Sequence, residues 1–151
     1  MTENSLKILL VDDVAYFREV MRDYFKRTPA TIMMAASGQE ALETALRESP
    51  DLIYMDVVMP GMNGIETCRK IKAHPDLKKT SVLLVFTPDR DVTTAEIEES
   101  GCDGYLAKPF GREAFLNLGH QHLFDIERRE RRAPCQMTVD FSISGKEFRG
   151  R

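Results

Sequence analysis

Four apolar segments of the chain end in side chains that could do chemistry together. KILLV runs into Asp12-Asp13, DLIYM into Asp56, and SVLLVF into Thr87, while GYLAK ends in Lys108. If these segments are parallel strands of one sheet, their carboxyl ends share an edge, which is where ligands bind in open α/β sheets. We therefore expect three carboxylates, a hydroxyl and an ammonium group to converge there.

This combination of groups suits phosphoryl transfer. Three close carboxylates repel one another and need a cation, and their oxygen ligands suit Mg²⁺. A lysine and a threonine could hold an anion beside the metal, and a carboxylate can accept a phosphoryl group as an acyl phosphate. Each residue alone has a plainer explanation, since an aspartate or threonine after a strand is usually a helix cap or turn former. Their shared position after successive strands favours a site.

The elements that would position these residues can also be predicted. Near-continuous apolar runs, typical of parallel strands covered on both faces, occur at 7–11, 31–35, 51–55, 81–86 and 104–108. Helical periodicity lies between them. An apolar stripe predicts the buried face of the first helix, and Ser37 with Glu40 predicts a capping box at the second. The stripe consists of Val14, Phe17, Met21, Tyr24 and Phe25. This alternation predicts an α/β protein, a doubly wound parallel (βα)₅ sheet with helices on both sides.

Composition limits the setting of the protein. The chain has 151 residues and a net charge of -3, and it contains no apolar run long enough to span a membrane. Its odd set of cysteines, Cys68, Cys102 and Cys135, fits a reducing cytoplasm, and we expect a cytoplasmic protein without a membrane partner. Residues 125–151 carry a net charge of +2, against -5 before them, which predicts a boundary near residue 125.

Five motifs in order resemble the receiver domain of two-component response regulators. They are Asp12-Asp13, Asp56, the MPGMNG segment that comes after it, Thr87, and Lys108-Pro109-Phe110, and the resemblance covers about residues 5–124. It implies a flavodoxin-like fold with strand order 2-1-3-4-5. It also implies a signalling domain, not an enzyme, that is phosphorylated on Asp56 by a sensor histidine kinase.

The resemblance also implies a magnesium site. Asp13, Asp56 and the backbone carbonyl of Val58 would bind Mg²⁺, and Asp12 would act partly through water. Lys108 would pair with the carboxylate and the phosphoryl group.

A switch and an interface are implied as well. Thr87 would turn inward to bond a phosphoryl oxygen, and Tyr105 would change from exposed to buried on activation. The face formed by the fourth helix, fifth strand and fifth helix would be the place for a homodimer or an output contact.

Two residues depart from the family pattern. Pro88 removes an amide donor and stiffens the loop after the fourth strand. Val58, two residues beyond Asp56, stands where polar residues are common and could alter access of water to the phosphoryl group. The alternative, a Mg²⁺-dependent small-molecule phosphatase on a similar sheet, would need a second aspartate at that position, so Val58 argues against it.

The last 27 residues leave several interpretations open. ERRERRAP could end a solvated connecting helix, whereas its interleaved acids make it a poor nucleic-acid surface, so we expect no direct DNA binding. Arg128 and Arg132, followed by VDFSISGKEFRG, resemble the opening of a PilZ domain, whose arginines bind cyclic di-GMP. We therefore expect a receiver domain at 1–124, with a linker helix and the possible start of a PilZ-like domain at 125–151. Because the chain ends at Arg151 before the second PilZ motif, cyclic di-GMP binding would require a longer chain.

Overall fold

A computed structural model describes residues 6–88 and 93–131, with side chains through residue 122. Strands and helices alternate along the chain, as the sequence predicts. The strands are β1 (Leu6–Val11), β2 (Ala30–Ala35), β3 (Leu52–Asp56), β4 (Ser81–Phe86) and β5 (Gly104–Ala107). The helices are α1 (Ala15–Tyr24), α2 (Gly38–Glu48), α3 (Gly64–Ala73), α4 (Thr94–Glu99) and α5 (Arg112–Arg131), with a short 3₁₀ turn at Pro75–Leu77.

The five strands form one parallel sheet in the order β2-β1-β3-β4-β5. This confirms the predicted doubly wound topology. Each strand turns alternate side chains to opposite faces, so the apolar runs supply two hydrophobic layers. Ile8 and Leu10 of β1 face the layer that holds α1 and α5, whereas Leu9 and Val11 face the layer that holds α2, α3 and α4.

The strand register brings the predicted site residues to one edge. Val11 pairs with Met55, and Asp56 pairs with Val85. Phe86 pairs with Ala107, and the Lys108 N–H donates to the Phe86 carbonyl at 2.8 Å. Asp12 therefore lies level with Asp56, and Thr87 lies level with Lys108. The second pair is two residues further toward the carboxyl end of the sheet than the first.

The predicted apolar stripe of α1 is wrong in its first turn. Met21 and Phe25 are buried, but Val14 is 41% and Phe17 45% exposed. The reason is that α1 begins at the carboxyl edge of the sheet, and only its later turns lie over the strands. Periodicity alone does not show where a helix begins relative to its sheet.

Helix capping also differs in part from the prediction. The Ser37 hydroxyl accepts from the Glu40 N–H at 3.1 Å as predicted, but the Glu40 carboxylate accepts from Ala36 N–H. A complete capping box instead opens α4, where Thr93 and Glu96 bond each other's backbone N–H groups.

Candidate functional site

Three carboxylates gather at the carboxyl edge of the sheet. Asp12 and Asp56 are buried, and Asp13 is exposed. One oxygen from each of the three lies within 4.8 Å of the others. The prediction that the three acids converge is therefore confirmed as geometry.

Asp12 has a structural task as well. Its Oδ1 accepts from the Val14 N–H at 2.9 Å, and its carbonyl oxygen accepts from the Arg18 guanidinium at 2.7 Å. These two bonds attach the first turn of α1 to the end of β1. The plainer interpretation of Asp12 as a turn former thus holds together with its place in the acidic cluster, whereas the N-cap of α1 is Val14.

The MPGMNG segment returns the chain closely past Asp56. Gly61 has a positive φ of 78°, which a glycine adopts without strain. The Gly64 N–H donates to the Val57 carbonyl at 2.8 Å, and a Cβ on Gly64 would lie only 2.3 Å from the Asp56 carbonyl oxygen. Glycine at position 64 thus lets α3 begin directly against the end of β3. Val58 points outward and is 52% exposed.

Lys108 is the cation nearest to Asp56 in the described ion pairs. Its Nζ lies 3.1 Å from Asp56 Oδ1. This ion pair is the described contact of the buried Oδ1, which accepts no hydrogen bond from the other described residues. A buried carboxylate oxygen with so few partners is suited to bind a further cation.

The electrostatics of the cluster favour added positive charge. Burial, and then the neighbouring Asp12, raise the pKa of Asp56 to about 6 despite the attraction of Lys108. Burial also raises the pKa of Asp12, although the bond from Val14 acts against it. Both shifts show that the folded protein bears a cost for charge at this edge, which a bound metal ion would offset.

Thr87 and Tyr105 lie on the β4–β5 side of this edge. Thr87 follows β4 and is half-buried. Tyr105 points outward, at 36% exposure, with its ring edge-on to Phe86 at 5.9 Å between centroids. Its hydroxyl donates to Glu98 Oε2 at 2.9 Å, which raises the pKa of the phenol. The switch role of Tyr105 stays a prediction, and its contact with Glu98 was not predicted.

Sequence reasoning also missed Phe17, which it placed in the core. The Phe17 ring lies beneath the Lys108 ammonium, at 5.4 Å from Nζ to the ring centroid. Its position in the sequence could have indicated this contact. Phe17 is only five residues after Asp12, in the first turn of the helix that begins at the sheet edge.

The predicted cyclic di-GMP residues cannot be placed. Arg128 belongs to α5, but its side chain is outside the described part, and Arg132 lies outside the described residues. The PilZ interpretation therefore stays a prediction. Within the described ranges, no helix has the length and apolarity that a membrane span requires.

Comparison with known families gives one clear match. The profile of the response regulator receiver domain matches residues 8–118. The transcriptional regulatory protein ResD of Bacillus subtilis (strain 168) is 37% identical over 116 residues, which is 76% of this chain and 47% of ResD. The chain spans about half the length of the curated relatives that it matches.

Solved structures share the fold. The chemotaxis response regulator CheY4 of Vibrio cholerae superposes with a TM-score of 0.73 at 29% identity, over 79% of this chain and 99% of CheY4. The receiver domain of sensor histidine kinase PA1611 from Pseudomonas aeruginosa PAO1 gives a TM-score of 0.73 at 23% identity, over 80% of this chain and 98% of that one. Its structure has a magnesium ion coordinated in the active-site cleft.

Proposed function

Because the chain belongs to the response regulator receiver domain family, we propose that it is a two-component signalling switch in which Asp56 accepts a phosphoryl group from a sensor histidine kinase. The observation that carries this proposal is the Asp56 carboxylate, held beside Asp12 and Asp13 on one side and 3.1 Å from Lys108 on the other. No other group of three acids in the described residues comes together in this way.

The reaction is a transfer between two protein side chains. An Asp56 oxygen forms a bond to phosphorus while the bond from phosphorus to the histidine nitrogen of the kinase breaks. The electron pair of that bond stays on the imidazole, and Asp56 becomes an acyl phosphate. Positioning and electrostatic stabilisation of the phosphoryl oxygens are the protein's contribution to such a step.

Asp12, Asp13, Asp56 and the carbonyl of Val58 would hold Mg²⁺. The donor set fits, since it offers only oxygen atoms and one carboxylate oxygen of each aspartate lies within 4.8 Å of the others. Bound there, the metal would neutralise charge on the carboxylates and on the phosphoryl oxygens. The magnesium of the PA1611 receiver supports this assignment by analogy only.

Lys108, Thr87 and Tyr105 would convert phosphorylation into a change of shape. Lys108 offers its ammonium to a phosphoryl oxygen, and Thr87 offers its hydroxyl. Movement of Thr87 toward the phosphoryl group opens space for Tyr105, which must then leave Glu98. The surface of α4, β5 and α5 changes with it and is the proposed contact for an output domain or a second receiver.

The test is phosphoryl incorporation from acetyl phosphate in the presence of Mg²⁺, followed by mass spectrometry. We expect Asp56→Asn to abolish the added mass. Asp76→Asn is a matched control because Asp76 is exposed in the turn before β4, at the opposite edge of the sheet. Unchanged labelling of Asp56→Asn would overturn the proposal. Multiple turnover of small phosphomonoesters would favour the phosphatase alternative instead.

We further propose that the end of α5 connects the receiver to an output domain. A helix of 20 residues is about 30 Å long. Among the residues of α5 whose burial is described, the buried ones, Phe115 and Gly119, are in its first eight residues. ResD is named a transcriptional regulator, whereas the tail of this chain resembles the start of a PilZ domain.

Titration with cyclic di-GMP tests the PilZ interpretation. In a longer parent chain, binding should be lost in Arg128→Ala and in Arg132→Ala. Binding that is unaffected by both changes, or no binding, would argue against the interpretation and leave the receiver assignment intact.

A further inference from the structure

Lys108 is held from two sides. On one side its Nζ lies 3.1 Å from Asp56 Oδ1, and on the other it lies 5.4 Å from the centroid of the Phe17 ring. Attraction between a cation and the face of an aromatic ring operates at this distance. Phe17 is 45% exposed, so burial in the core does not account for a large aromatic residue at this position.

The Phe17 ring is attached to the same strand end as the acidic cluster. The Phe17 N–H donates to the Val14 carbonyl at 3.1 Å, and Val14 N–H in turn donates to Asp12 Oδ1 at 2.9 Å. Tyr16 packs edge-on against Phe17, with centroids 5.5 Å apart. The backbone bonds therefore fix the main chain of Phe17 relative to the acidic cluster, and Tyr16 contacts its ring.

We propose that Phe17 is a positioning residue for Lys108 and keeps its ammonium beside Asp56 when the acidic cluster is neutralised. This inference rests on the proposed function, in which Lys108 meets the phosphoryl group. In the metal-free site, three carboxylates attract Lys108. A bound divalent cation neutralises two of those three charges, so the Coulomb attraction on Lys108 falls. The attraction of the ring does not depend on the metal and remains.

The direct test is NMR of the unphosphorylated protein, recorded with and without Mg²⁺. The ε-methylene signals of Lys108, assigned by their loss in Lys108→Arg, should carry the ring-current shift of Phe17. We expect Phe17→Leu to remove that shift in both conditions, and Phe17→Tyr to keep it. Tyr16→Leu is the matched control, because Tyr16 is an exposed neighbouring ring whose described ring contact is with Phe17 alone. Lys108 signals that are the same in Phe17→Leu and in the unchanged protein would overturn the proposal.

The kinetic test is the rate of Asp56 labelling by acetyl phosphate at saturating Mg²⁺. We expect Phe17→Leu to slow labelling by about two- to tenfold, the range for one cation–ring contact near a surface. Phe17→Tyr should restore the rate, and in a Lys108→Ala background Phe17→Leu should have no further effect. If Phe17→Leu slows labelling equally in the unchanged protein and in the Lys108→Ala background, Phe17 does not act through Lys108, and the proposal is overturned.

The two tests separate the two claims. If the unchanged protein takes up no phosphoryl group, the proposed function fails, and the NMR comparison still decides whether Phe17 holds Lys108. If labelling of Lys108→Ala is too slow to measure, the NMR comparison alone decides whether Phe17 positions Lys108. Circular dichroism confirms that each variant is folded, which the exposure of Phe17 leads us to expect.

Discussion

Asp56 is a buried carboxyl group beside a second acid, and this position lowers the stability of the ionised protein. Its pKa is about 6 in the fold, against 3.8 in its unperturbed state. The folded form therefore holds the Asp56 proton more tightly than the unfolded form, and stability falls as pH rises from about 3.8 to about 6. Above about pH 6 the folded protein bears the full free-energy cost of the ionised Asp56.

We expect Asp56→Asn to stabilise the metal-free protein at pH 7.5 by roughly 1–3 kcal/mol, since the amide carries no charge. The gain should shrink at pH 5 and disappear well below pH 3.8, where the acid is protonated in both states. Mg²⁺ should stabilise the unchanged protein more than the variant, because binding to the folded state adds stability.

Urea unfolding in a chelator, at several pH values, measures this difference. Asp76→Asn serves as the control and should leave the unfolding free energy unchanged at every pH. An Asp56→Asn gain that is independent of pH would show that charge is not the cause.

The residues of the site were predictable in part. Asp12, Asp13, Asp56, Thr87 and Lys108 could be found because each follows an apolar run, and the carboxyl ends of parallel strands share one edge of the sheet. The contacts with Phe17 and Glu98 could not be found. They join side chains of α1 with the end of β5, and of α4 with β5, and only the packed structure determines those distances.

Helix α5 is joined to β3 through one buried phenol. The Tyr54 hydroxyl donates to the Phe115 carbonyl at 2.7 Å, and the two rings stack with centroids 3.9 Å apart. A Cβ on Gly119 would lie 2.2 Å from that hydroxyl oxygen. The side-chain space at position 119 is thus already occupied by Tyr54.

We expect Gly119→Ala to destabilise the protein by roughly 1–3 kcal/mol, the usual cost of overpacking. Tyr54→Phe should cost about 0.5–1.5 kcal/mol for the lost hydrogen bond. In the Tyr54→Phe background Gly119→Ala should cost less, because the clashing oxygen is gone. The unfolding free energies of the unchanged protein, the two single variants and the double variant give the coupling energy between positions 54 and 119. Strictly additive effects would contradict this account.

Helix α4 is short and lightly held. It has six residues, of which Ile97 is the buried one, and Tyr105 adds the hydrogen bond from β5 to Glu98. We expect Glu98→Ala to speed amide exchange in α4 by about two- to tenfold, as loss of one partly exposed hydrogen bond predicts. Glu98→Gln keeps an acceptor and should exchange at nearly the original rate. Equal exchange in all three chains would show that Tyr105 does not hold α4.

The element pattern itself was largely predictable. Apolar runs located all five strands to within a residue at each end, because strands buried on both faces have few polar residues. The first turn of α1 and the capping box of α4 were not predicted, because both depend on where a helix meets the sheet or its loop.

At the level of the whole chain, the predicted receiver boundary at residue 124 leads to a truncation experiment. A chain that ends at residue 124 should melt within about 2 °C of the full chain, because the buried side chains in the described part of α5 precede that point. Thermal circular dichroism measures this. A drop of more than about 6 °C would correspond to roughly 2 kcal/mol and would show that later residues stabilise the receiver.

The light anchoring of α4 has a consequence for signal fidelity. A six-residue helix whose one buried side chain is that of Ile97 has little free energy separating this arrangement from others. In the proposed switch, thermal fluctuation alone would then move α4 in a fraction of unphosphorylated molecules and give basal output without a kinase signal. The strength of the Tyr105–Glu98 contact would set that background, and with it the smallest stimulus that the proposed switch can distinguish from noise.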